Sequence, residues 1–121
     1  MTEADMMRHL QAALTAQDKR PLWTIEDVLT DIVSGEAKLW TGRKSCVVTV
    51  ESDYPRAGEK IIEGWLAGGD LEEIAAMTTM LERYGKDRGC TQAHITGRPG
   101  WVKAFAGKGY EHYGTIIRKL L

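Results

Sequence analysis

CTQAHITGRPGWVKAFAGKGYEHYGTIIRKLL, residues 90–121, carries the pattern that decides the fold. Residues 91–96 alternate, with Ala93 and Ile95 on one face and Gln92, His94 and Thr96 on the other, which predicts a half-buried strand. Gly97-Arg98-Pro99-Gly100 breaks it. Pro99 suits the first turn of a helix, because the N–H it lacks is one that a helix start leaves unpaired. Trp101, Ala104 and Phe105 share a helical face, and Gly107 and Gly109 end it. Residues 110–121, from Tyr110 to Ile116, Ile117, Leu120 and Leu121, are expected to form a closing strand.

Outward from this stretch, residues 70–88 predict the longest helix. Leu71, Ile74, Met77, Leu81 and Tyr84 form its apolar stripe, and Asp70 with Glu73 has the form of a capping box. Gly85 inside it costs about 1 kcal/mol against alanine. Residues 60–67 read as a strand, as do 45–51 and, shorter, 38–40, with a hairpin turn at 41–44 and a loop at 52–59. Two helices precede them. Residues 2–17 carry the stripe Met6, Met7, Leu10, Ala13 and Leu14; residues 24–33 carry Ile25, Val28, Leu29 and Ile32, with Thr24 as cap and Gly35 as stop. Residues 18–21, ending in Pro21, link the two. This order predicts an α+β (mixed α/β) domain, a central mixed sheet flanked by helices. It is one domain over 1–121, with a helical part at 1–34 and a sheet part at 38–121 around the helix 70–88. The step from 60–67 through that helix to 91–96 is a parallel crossover.

Composition bounds the function. The chain has 121 residues, 43% hydrophobic and 27% charged, and a net charge of −1, so it shows no global nucleic-acid footprint. No apolar run is long enough to span a membrane, and Glu3 and Asp5 in a start without an apolar block argue against a signal peptide. Cys46 and Cys90 sit in or beside strand patterns and read as free thiols of a reducing cytoplasm. His9, His94 and His112 are scattered, without metal-ligand spacing.

Strand, short helix, Gly107-Lys108-Gly109-Tyr110 and a closing segment with Gly114 together resemble the C-terminal half of the GNAT acetyltransferase superfamily, and the resemblance covers residues 60–121. The chain is also similar to small GNAT-like proteins encoded among tailed-phage structural genes, through Ser34-Gly35-Glu36-Ala37-Lys38-Leu39-Trp40 and Gly97-Arg98-Pro99-Gly100-Trp101.

The GNAT resemblance implies that acetyl-CoA, if bound, places its pyrophosphate at the start of the 70–88 helix, where free N–H groups and the helix dipole favour an anion. The implied cofactor residues are Leu66, Ala67, Gly68, Gly69 and Asp70. The family pattern there is Arg or Gln, two residues, Gly, one residue, then Gly or Ala. This chain keeps glycines, lacks the basic or amide residue before them, and sets Asp70, Glu72 and Glu73 where they repel a pyrophosphate. The family's tyrosine acid falls at Phe105, which has no proton to give. The family's asparagine at the start of the last helix falls at Arg98. Tyr110 or Tyr113 are the remaining candidate acids, Glu63 and His94 the candidate bases. The expectation is therefore a GNAT-fold protein that has lost acyl transfer, binds no cofactor, and acts as a binding or structural component in the cytoplasm or in a phage particle. Arg98 and Trp101 are the candidate contacts to a protein partner or a second copy, since tryptophan and arginine anchor interfaces. The alternative is an active acetyl-CoA-dependent N-acetyltransferase with an atypical cofactor loop.

Overall fold

The structure, a computed structural model, describes residues 1–17, 22–97 and 100–121, with Ala16 and Gln17 described by backbone only. The linker expected at 18–21, and Arg98 with Pro99, lie outside the described residues. The elements run α1 (Glu3–Gln17), α2 (Ile25–Ser34), β1 (Ala37–Thr41), β2 (Ser45–Tyr54), β3 (Glu59–Gly69), α3 (Leu71–Asp87), β4 (Gln92–Ile95) and α4 (Gly100–Phe105), followed by a 3-10 turn at Ala106–Lys108.

Local chemistry sets the helix starts. Thr2 and Asp5 exchange backbone-to-side-chain bonds of 3.1 Å at the start of α1. Thr24 and Asp27 close a full capping box on α2, which ends at Gly35 in the left-handed region. The sheet has the order β1-β2-β3-β4. β1, β2 and β3 pair antiparallel, and β4 lies parallel to β3, as the crossover through α3 requires.

The sheet separates two cores. On one face α1 and α2 bring Leu10, Ala13, Leu14 and Val28 against Cys46, Val48, Trp65 and Leu66. On the other, Ile74, Met77 and Leu81 of α3 and Phe105 of α4 meet Val47. Cys46 is fully buried, and burial pushes its thiol up to about 11. Cys90 is half-buried and likewise unpaired. Gly85 explains its own helix cost: a Cβ there would come within 2.8 Å of Ile62 Cγ2, so the missing side chain lets α3 lie close on β3.

The structure corrects four expectations. Residues 110–121 form no strand, and 111–121 are exposed throughout. Alternation specifies a strand only where a neighbour pairs with it, and no described strand pairs with this segment. The loop expected at 52–59 shrinks to 55–58, because β2 and β3 stay paired out to Tyr54 and Glu59. Neither half of the expected Asp70–Glu73 box forms: Asp70 makes no side-chain cap bond, and the Glu73 carboxylate accepts from Arg43 and Lys44 while the Asp70 N–H goes to Ser45. Leu71 is 41% exposed rather than part of the stripe, because it lies in the first turn of α3, above the point where the helix meets the sheet.

Candidate functional site

β3 is eleven residues long, but β4 accompanies it only from Ile61 to Gly64. Just beyond, the β2–β3 register steps from Thr49↔Gly64 to Val48↔Leu66, which leaves Trp65 as an extra residue, a β-bulge. The bulge puts Trp65 and Leu66 both in the α1 core, and β3 then runs on without β4. A cleft opens where the two strands part, roofed by α3 and α4, with about 480 Å³ of empty space including its open mouth. Ala67, Ile74, Leu81, Ile95, Trp101 and Phe105 give it a mostly apolar lining.

Trp101 is half-buried in this wall. Its ring stacks on Phe105 at 5.7 Å and lies against Gly97, where a Cβ would come within 3.2 Å of the indole. Phe105 is a core residue, buried between Trp101 and Tyr110. Tyr110 donates its hydroxyl to the Glu82 carboxylate at 2.9 Å. Burial first, and then that carboxylate, push the Tyr110 proton well above the usual range, so the group stays protonated. Tyr113 is exposed, its ring 5.3 Å from that of His94. His94 and Gln92 bond side chain to side chain at 2.9 Å, and Glu63 accepts from Thr96 at 3.3 Å. These two candidate bases are register partners on β3 and β4 at the closed end of the splay.

The start of α3 is built differently from a phosphate loop. Leu66 is buried in the α1 core. Ala67, Gly68 and Gly69 belong to β3, in register with Val47, Cys46 and Ser45. Only Asp70 separates the strand from the helix. Its N–H donates to Ser45 Oγ at 3.0 Å, and the same hydroxyl donates to its carbonyl at 3.2 Å. A Cβ on Gly68 would come within 2.3 Å of the His9 carbonyl oxygen, so α1 sits directly over that residue. Gly69 combines a φ of +117° with a Cβ position 2.2 Å from the Lys44 carbonyl oxygen, which leaves no alternative to glycine. Both glycines thus answer to close backbone packing.

The fold also brings cations that sequence reasoning missed. The turn between β1 and β2 lies against the first turn of α3, and Glu73 accepts the N–H groups of Arg43 at 3.0 Å and Lys44 at 2.9 Å. The Lys44 N–H first, then Ser45 and Arg43, hold the Glu73 carboxyl below its usual range, helped by the charge of Lys44. No sequence signal joins residues about thirty apart, and Arg43-Lys44 reads locally as an ordinary turn. Arg98 lies outside the described residues. Among the described residues no His, Cys, Asp or Glu cluster offers a metal site.

No family model matches this sequence, and no curated protein matches it. Solved structures do. An acetyltransferase of Trypanosoma brucei superposes with a TM-score of 0.62 at 13% identity, over 100% of this chain and 96% of that one. TTHA1254 of Thermus thermophilus superposes with a TM-score of 0.61 at 13% identity, over 100% of this chain and 93% of that one. The fold is acetyltransferase-like, a four-stranded mixed sheet flanked by helices. No described helix is long and apolar enough to cross a membrane.

Proposed function

We propose that this chain is a GNAT-fold protein that does not transfer acyl groups and works as a binding or structural component, without a bound cofactor. The observation that supports this is the pairing of Ala67–Gly69 with Ser45–Val47 up to the helix start. One edge of the backbone that would meet a pyrophosphate is engaged in the ladder with β2, and α1 covers Gly68. The first turn of α3 adds Asp70, Glu72 and Glu73 against Arg43 and Lys44, which leaves the corner one charge acidic. Around the cleft, Phe105 has no proton to give, Tyr110 holds its own against Glu82, and Tyr113 faces solvent. The partner-facing residues in this reading are Arg98 and Trp101. The resemblance of residues 34–40 and 97–101 to phage proteins supports a place in a phage particle, with the cytoplasm as the other location.

The second reading is an acetyl-CoA-dependent N-acetyltransferase. The splay of β3 from β4 favours it, because that splay opens an apolar cleft beside free N–H groups at the start of α3. Leu66 to Asp70 would then hold the cofactor.

Titration calorimetry with acetyl-CoA separates the two. The expected result is no saturable heat from the wild type and at most weak binding by Asp70→Asn/Glu72→Gln/Glu73→Gln. Micromolar binding by the wild type, unchanged by that neutralisation, would overturn the first reading and establish the second.

A further inference from the structure

Gly64 lies inside β3, with Thr49 of β2 on one side and Ile95 of β4 on the other. A glycine weakens a strand interior and packs nothing, so it marks a bulge or the close approach of something else. Gly68 and Gly69 answer to the chain itself, whose backbone stands where their Cβ atoms would be. Gly64 does not. Its φ is not positive, and a Cβ there would meet only the His94 carbonyl oxygen and Ile95 Cγ1, both at an ordinary 3.9 Å. The extra residue of the bulge is its neighbour, Trp65. Gly64 thus leaves a bare patch in the lining of the cleft under α3 and α4.

The walls around that patch have a definite chemistry. Trp101, Phe105 and Tyr110 line the cleft as a ladder of rings, stacked at 5.7 Å and edge-on at 5.6 Å. Such rings receive a further ring by face or by edge. Most polar side chains of the lining are engaged within the chain. Thr49 accepts from Trp40 at 3.0 Å, Thr78 donates to the Ala75 carbonyl at 2.7 Å, His94 pairs with Gln92, and Thr96 donates to Glu63. Glu82 is the one carboxylate in the lining. One of its oxygens accepts from Tyr110, and the other has no partner among the described residues. A mostly apolar cleft with few placed polar groups is the usual form of a small-molecule site.

We propose that the cleft binds a small neutral aromatic molecule carrying one N–H or O–H donor, its ring face over Gly64 and its donor on Glu82. A flat ring fits where a side chain is missing. An ionised carboxylate only accepts, so it selects a ligand that donates and disfavours an anionic one. A cationic ligand would have to leave water for a mostly apolar lining, so the neutral donor fits better. This deepens the reading of a chain that binds without transferring acyl groups. It is tested with a ligand other than acetyl-CoA, so that either can fail alone.

The test titrates the wild type with indole and, in parallel, with N-methylindole, which keeps the ring and lacks the donor. Methyl NMR signals of Ile62, Ile74, Leu81 and Ile95 report on the lining. The expected result is saturable shifts at these methyls with indole, and binding of N-methylindole weaker by about tenfold or more. Gly64→Val puts a side chain on the bare patch. Its Cβ has room and its β-branch suits a strand, so the sheet forms, which circular dichroism checks. Indole binding by this variant should fall by about tenfold or more. The absence of saturable shifts at these methyls overturns the proposal. So do equal affinities for the two indoles, a result read on the wild type alone, or an affinity that Gly64→Val leaves unchanged. Acetyl-CoA is titrated separately. Its binding would overturn the proposed function, whereas silence toward indole overturns this inference only.

Discussion

Gly68, Gly69 and Gly85 show how single residues fix this architecture. Each is a glycine because another part of the chain stands where a Cβ would go: the His9 carbonyl, the Lys44 carbonyl and the Ile62 methyl. At Gly85 two effects oppose each other. Alanine gains about 1 kcal/mol of helix propensity, while overpacking a buried contact costs about 1–3 kcal/mol. The contact is at 2.8 Å, and Ile62 is buried under α3 with little room to move. Overpacking should win, so Gly85→Ala is expected to lose about 1 kcal/mol in chemical denaturation. In an Ile62→Ala background the obstructing methyl is gone, and the same substitution should become neutral or stabilising. An equal loss in both backgrounds would show that the Ile62 contact is not the cause.

Among the elements, the junction of α3 with the turn between β1 and β2 matters most. Glu73 replaces the expected cap of its own helix with a bond to a turn some thirty residues earlier. Its carboxyl is held below the usual glutamate value of about 4.3 in the fold. A depressed folded pKa contributes stability above the unfolded value and loses it as pH falls through the folded value. An NMR titration of the Glu73 carboxyl should therefore show a midpoint below about 4.3. Glu73→Ala should remove that part of the acid sensitivity and speed amide exchange at Arg43 and Lys44. A midpoint at or above the ordinary glutamate value would contradict the junction. The helices were legible because their signals are local: Thr24 with Asp27 caps α2, and the α1 stripe buries Leu10, Ala13 and Leu14. β3 and β4 were legible from alternation, and their parallel pairing from the connecting helix. The closing strand was not, because residues 110–121 carry a strand pattern whose pairing partner no local sequence can supply. The site was legible only in part. Gly68-Gly69 marked the place, but the contacts that explain it come from His9 and Lys44, far away in the chain.

As a whole molecule, the chain keeps the outline of an acetyltransferase-like domain, with a mixed sheet, a splay and a helix starting beside it. The backbone before α3 is laddered to β2 on one edge, the corner is acidic by one charge, and Phe105 is a core residue. The cleft that remains has a mostly apolar lining. The central claim is the proposal that the Ala67–Gly69 stretch, paired with β2 on one edge and covered by α1 at Gly68, takes no pyrophosphate. Backbone amide signals of Ala67, Gly68, Gly69, Leu71 and Glu72, followed by NMR during titration with acetyl-CoA, test it most directly. The account predicts that these amides do not move as acetyl-CoA is added. Saturable shifts centred on Gly68, Gly69 and Leu71 would contradict it.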